Sequence, residues 1–95
     1  MSELRFIWDE NKNLDNIKKH GVSFEEAAAA CLDPNCVRIF DETHSINEDR
    51  WILLGRVRET VLFVVETEPD IDIIRIISAR PATKREEERY YGNGY

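Results

Sequence analysis

Three strand-like runs, "RWILLGRV" (50–57), "VLFVVET" (61–67) and "DIIRIISA" (72–79), follow one another with only a few polar residues between them. Connections this short can join only antiparallel neighbours, because a parallel pair needs a crossover of about a dozen residues. The second half of the chain is therefore predicted to form a β-meander. Within it "VLFVV" is apolar at successive positions instead of alternating, so it reads as a central strand covered on both faces. "CVRIF" (36–40) reads as a further strand and "LRFIW" (4–8) as a short opening one.

Helix punctuation fills the rest. Asp9 is placed to cap a helix over about residues 10–20, in which Leu14 and Ile17 make a narrow apolar stripe. That helix ends in Lys18, Lys19 and His20 and stops at Gly21. The chain restarts with a capping box, Ser23 as N-cap and Glu26 three residues on, with Val22 and Ala27 in hydrophobic-staple positions. A second helix should run from about 24 to 32 and end before Pro34. Thr83 and Glu86 form a second capping box that opens a C-terminal helix "KREEERYY", after which "GNGY" is expected to fray.

A chain of 95 residues, 42% of them hydrophobic, has material for one core and not two, so a single domain over 1–95 is expected. No apolar run approaches the roughly 18 residues that span a bilayer, and "MSELRFIWDE" lacks the basic and apolar regions of a signal peptide. These features point to the cytoplasm. Cys31 and Cys36 are separated by "LDPN" with no zinc spacing, and read as two reduced, partly buried thiols in preference to a disulfide or a metal site.

The net charge of −6 argues against holding nucleic acid by bulk electrostatics. The distribution is uneven, however. Residues 1–74 carry eight basic and sixteen acidic side chains, whereas residues 75–95 carry five basic and three acidic, so a local positive patch survives on an acidic body.

Four cationic positions could carry chemistry. Lys19 and His20 have a sufficient structural role as cations offsetting a helix dipole, but the same corner could point lysine and imidazole at a phosphate. Arg75 and Arg80 lie in an isoleucine-rich run, where a guanidinium calls for a partner, either an acidic neighbour or a phosphate. In an unbroken strand the two would face opposite sides, and a bulge or strand end near Ala79 would be needed to bring them together. His44 has Asp41, Ser45 and Glu48 nearby, the ingredients of a Ser-His-Asp arrangement, though a solvated turn explains the cluster better. Trp8 and Trp51 read as core or interface aromatics more readily than as base-stacking platforms.

Three stretches, "FIWDENKNLDNIKKHGVSFEEA", "HSINEDRWILLG" and "IIRIISARPATKREEERYY", resemble in this order the BrnT family of small bacterial toxins, over residues 6 to about 91. The resemblance implies an α+β, RelE-like fold: an antiparallel sheet with two N-terminal helices packed on one face and a C-terminal helix. It implies metal-free ribonuclease activity that inhibits translation, with no cofactor. It also implies a BrnA-type antitoxin whose ribbon-helix-helix domain binds operator DNA while another segment covers the toxin. The motif matches fall on Lys19 and His20 in "KHG" and on Arg75 and Arg80 in "RIISAR". Two positions depart from the pattern: Glu66 stands where an aromatic such as Tyr is expected, and Pro69 where Arg is expected. Three consecutive glutamates, 86–88, add to the negative charge. Such changes work against RNA binding, so a degenerate toxin acting as a repressor component is the alternative.

Overall fold

The computed structural model describes residues 3–92. Its elements are β1 (Arg5–Ile7), α1 (Glu10–His20), α2 (Phe24–Cys31), β2 (Val37–Phe40), a 3-10 turn (Glu42–His44), β3 (Arg50–Val57), β4 (Thr60–Asp70), β5 (Ile73–Pro81) and α3 (Lys84–Gly92). The strands form one sheet in the order β1-β5-β4-β3-β2, with β4 at its centre as its apolar run predicts. The pairs β2–β3, β3–β4 and β4–β5 are antiparallel.

The sheet is nevertheless mixed, which corrects the purely antiparallel expectation. β1 pairs parallel to β5, Arg5 opposite Ile73 and Ile7 opposite Arg75. Almost the whole chain intervenes between these strands, so the crossover that parallel pairing requires is amply supplied.

The local caps form as the sequence indicates. The Asp9 side chain accepts from the backbone N–H groups of Asn11 and Lys12. Gly21 closes α1 with φ 69°, its N–H donating to the Ile17 carbonyl at 2.8 Å. Such a left-handed residue is most easily a glycine. Both halves of the Ser23–Glu26 capping box are present, and so are those of the Thr83–Glu86 box. Of the expected fray over "GNGY", Gly92 closes α3 and residues 93–95 lie outside the described residues.

The buried side of α1 is not the one its apolar stripe suggested. Leu14 and Ile17 are 53% and 40% exposed, while Asn13 and Asn16 are buried. Asn16 donates to the carbonyls of Val22 (2.9 Å) and Ala79 (2.7 Å) and accepts from the Ala79 N–H (3.2 Å). β1 is too short to pair with β5 beyond Arg75, so an asparagine amide supplies the partners that Ala79 lacks. Asn13 in turn accepts from the Phe24 N–H at 2.8 Å and fixes the start of α2. Buried backbone groups must find partners, and that demand outweighs the transfer free energy of one leucine and one isoleucine.

α1 and α2 cover one face of the sheet. There Phe24, Ala27 and Ala30 are fully buried against Leu53, Leu62, Val64, Ile76 and Ala79. Trp8 meets Phe24 edge to face at 6.2 Å, so it belongs to this core. α3 covers one end of the other face, where Tyr90 packs on Leu54 and Val61. The Tyr90 hydroxyl donates to Asp33, which ties α3 to the connection after α2. The remainder of that second face is open.

Candidate active site

The open face is ordered by the strand register. Residues paired across a ladder share a face, and three rows cross β3, β4 and β5: Arg50–Thr67–Arg75, Ile52–Val65–Ser78 and Leu54–Phe63–Arg80. The register shifts between the last strands, Val65 opposing Ser78 but Glu66 opposing Ile76, so Ile77 is the extra residue of a β-bulge. The core confirms it: Ile76 and Ala79, three apart, are both buried under the helices. The bulge reverses the side-chain alternation and places Arg75 and Arg80 on the same face.

Both arginines have acidic neighbours. Arg75 lies 3.8 Å from Glu48, with both side chains nearly half exposed. Such a pair is weak and readily exchanged for another anion. Arg80 is held more firmly, its two terminal nitrogens donating to the Glu86 carboxylate at 2.8 and 2.9 Å while the guanidinium lies 3.9 Å over the Phe63 ring. The pairing holds Glu86 below the usual carboxylate range and raises Arg80. The folded-state value of Glu86 is depressed, so its contribution to docking α3 is present above about pH 4.5 and lost as the pH falls through the depressed value.

Arg50 completes the first row and was not singled out by its sequence context. Between it and Arg75 the Thr67 hydroxyl is buried without a hydrogen-bond partner among the described residues. Beside this row a cleft of about 290 Å³ is lined by Asp41, His44, Arg50, Ile52, Phe63, Val65, Ile77 and Ser78. His44 Nδ1 lies 2.9 Å from Asp41 Oδ2. Ser45 does not complete a triad: its hydroxyl donates to the Asp41 carbonyl at 2.5 Å and accepts from the Arg50 N–H at 2.9 Å.

Lys19 and His20 stand elsewhere. Both are exposed in the last turn of α1. His20 lines a separate groove of about 250 Å³ with Leu62 and Pro81, residues of the helix-covered side. The four cationic candidates therefore divide into two sites on opposite faces. A larger recess of about 410 Å³, between Pro34, Asn35, Cys36, Arg56 and α3, contains neither group.

Of the two departures from the family pattern, Glu66 falls away from the open face. Glu66 is fully buried on the helix-covered side, with Arg38 Nε 3.5 Å away. Arg38 pairs with Glu68 as well and lies 4.1 Å over the Trp51 ring. Trp51 also packs against Phe40. Neither tryptophan is a free stacking platform. Pro69 sits in the exposed end of β4, where the ladder is irregular between Thr67 and Asp70, so its missing N–H costs no regular pairing. The expectation that Glu66 would turn negative charge toward RNA is corrected: the sheet separates it from Arg75 and Arg80.

Burial raises the Glu66 carboxyl above its ordinary value of 4.5, the nearby Arg38 offsetting only part of the shift. The folded state then holds the proton more tightly than the unfolded chain, so stability from this group falls as pH rises above about 4.5. Glu66→Met removes the buried carboxylate and leaves Arg38 its contacts with Glu68 and Trp51. The variant is expected to be more stable than the parent by about 1 to 4 kcal/mol at pH 8. Urea unfolding should show the gap narrowing at pH 5, and an equal or inverted gap at the two values would refute the burial argument.

Cys31 and Cys36 are free, and burial pushes the Cys31 thiol up to about 12, which keeps it protonated and unreactive. Among the described residues no group of three His, Cys, Asp or Glu side chains is placed to hold a metal ion, and no helix is long and apolar enough to cross a membrane.

Comparison with known proteins agrees with this architecture. The crystal structure of the Brucella abortus ribonuclease toxin BrnT superposes with a TM-score of 0.66 at 25% sequence identity, covering 85% of this chain and 99% of that one. None of the curated proteins matches the chain. The family model described as "Ribonuclease toxin, BrnT, of type II toxin-antitoxin system" matches residues 8–86, and the chain therefore belongs to the BrnT family of type II toxins.

Proposed function

We propose that the chain is a ribonuclease that arrests translation in the cytoplasm until a BrnA-type ribbon-helix-helix antitoxin covers it. The observation that supports this reading best is the open sheet face, where a β-bulge aligns Arg75 with Arg80 beside a cleft. Cleavage proceeds by attack of the 2′-hydroxyl oxygen on the adjacent phosphorus while the bond to the 5′ oxygen breaks. The products are a 2′,3′-cyclic phosphate, opened by water to a 3′-phosphate, and a 5′-hydroxyl. The reaction needs a base for the 2′-hydroxyl, an acid for the departing oxygen and cations for the phosphorane. Arg75 and Arg80 supply permanent positive charge. Lys19 and His20 remain the motif-matched candidates for assistance and proton transfer. With a net charge of −6, the chain reaches operator DNA only through its antitoxin.

Purified protein incubated with RNA and chelator is expected to give fragments with 5′-hydroxyl ends, and cleavage abolished by chelator would rule out the metal-free scheme. Co-expression with the product of the neighbouring reading frame should give a stable complex, and a neighbour that fails to bind removes the antitoxin part of the reading. One observation favours the degenerate alternative, in which the chain is only a repressor component: the Arg80 fork is already occupied by Glu86. Induced expression that leaves growth and RNA intact would select that alternative.

A further inference from the structure

The two arginine candidates share a face, but the histidine matched by the family motif does not. His20 lies on the helix-covered side of the sheet, in a groove with Leu62 and Pro81. A proton-transfer group must come within hydrogen-bond reach of the reacting oxygen, directly or through one water. The cleft beside Arg50 and Arg75 contains one other imidazole, that of His44.

We propose that His44, oriented by Asp41, transfers the proton in RNA cleavage on the open face; this rests on the ribonuclease reading above. A carboxylate only accepts, so the 2.9 Å contact places the proton on His44 Nδ1 and leaves Nε2 as the lone-pair nitrogen. The 3-10 turn that carries His44 is clamped to the sheet. Asp41 donates its N–H to the Arg50 carbonyl at 2.9 Å, and the Ser45 hydroxyl bridges the Asp41 carbonyl and the Arg50 N–H. His44 is thereby fixed relative to Arg50, the first member of the Arg50–Thr67–Arg75 row. That row places Arg50 and Arg75 on the same face, two permanent cations for the phosphate. In the step, Nε2 takes the 2′-hydroxyl proton as the oxygen–phosphorus bond forms. The bond to the 5′ oxygen breaks, and that oxygen takes a proton from water. Nothing is oxidised or reduced. Asp41 is a positioning residue, since it acts through the imidazole.

The experiment compares RNA cleavage by the wild-type chain, His44→Ala and Asp41→Asn, each checked for folding by circular dichroism. His44→Ala should lose on the order of 100-fold or more in kcat. Added imidazole should restore part of it, because the side chain is 65% exposed and its place is open to solvent. Asp41→Asn should lower kcat with little change in KM. Wild-type cleavage with full activity in His44→Ala overturns this assignment alone. A folded, inactive His44→Ala that imidazole does not rescue also overturns it, because the residue is then structural. A wild-type chain that leaves RNA intact overturns both the assignment and the ribonuclease reading.

Discussion

Arg75→Ala is expected to cleave RNA on the order of 100-fold more slowly than the wild-type chain, the cost of deleting one preorganised electrostatic donor at a developing charge. Its unfolding temperature should hardly move. The side chain is 43% exposed and its ion pair to Glu48 spans 3.8 Å, so the pair contributes at most about 1 kcal/mol. Arg80→Ala should lower the rate comparably but also loosen α3, because Arg80 grips the glutamate that caps that helix. Glu86→Gln separates the two roles, since it keeps an oxygen for the Thr83 N–H and gives up the charge that occupies Arg80. Activity at or above wild type is expected. Full activity in both arginine variants, with folding verified, would remove the clamps from the mechanism.

Gly55→Ala is expected to be the most damaging single methyl in the core. A Cβ built there lies 2.1 Å from the Ala30 carbonyl oxygen and 2.7 Å from its carbon. Both are backbone atoms of α2, which no side-chain rotation can move aside. The helix must lift from β3, disturbing the layer in which Phe24, Ala27 and Ala30 are fully buried. Overpacking of this kind costs about 3 kcal/mol, and for a chain of this size that lowers Tm by more than about 10 °C. Thermal unfolding followed by circular dichroism gives the answer, and a wild-type Tm would show that α2 adapts at no cost. A larger residue such as valine should leave little folded protein.

The Gly55 contact illustrates what a sequence can and cannot express. A glycine inside "RWILLGRV" signals close backbone approach in principle, but which backbone approaches is decided by α2, 25 residues earlier. The same division runs through the site. The motif match indicates Arg75 and Arg80 without indicating that they share a face, since ordinary strand alternation would separate them and only the bulge at Ile77 unites them. His44 is legible as a histidine beside an aspartate. Its position at the edge of a cleft becomes visible only when β3, β4 and β5 are laid side by side.

By itself the sequence determined the features governed by residues within a few positions of one another: the Asp9, Ser23 and Thr83 caps, the left-handed stop at Gly21, the antiparallel meander and the central place of "VLFVV". Each follows from a hydrogen bond, a steric limit or an apolar run that the local chain carries with it. Tertiary structure alone decided the parallel β1–β5 pair, the burial of Asn13 and Asn16 in place of Leu14 and Ile17, the burial of Glu66, and the separation of His20 from Arg75 by the sheet. Those outcomes depend on partners far along the chain, as when Asn16 satisfies the backbone of Ala79, 63 residues away. Apolar periodicity records how much surface a helix can bury, whereas a single unsatisfied backbone group on a distant strand selects the side that is buried.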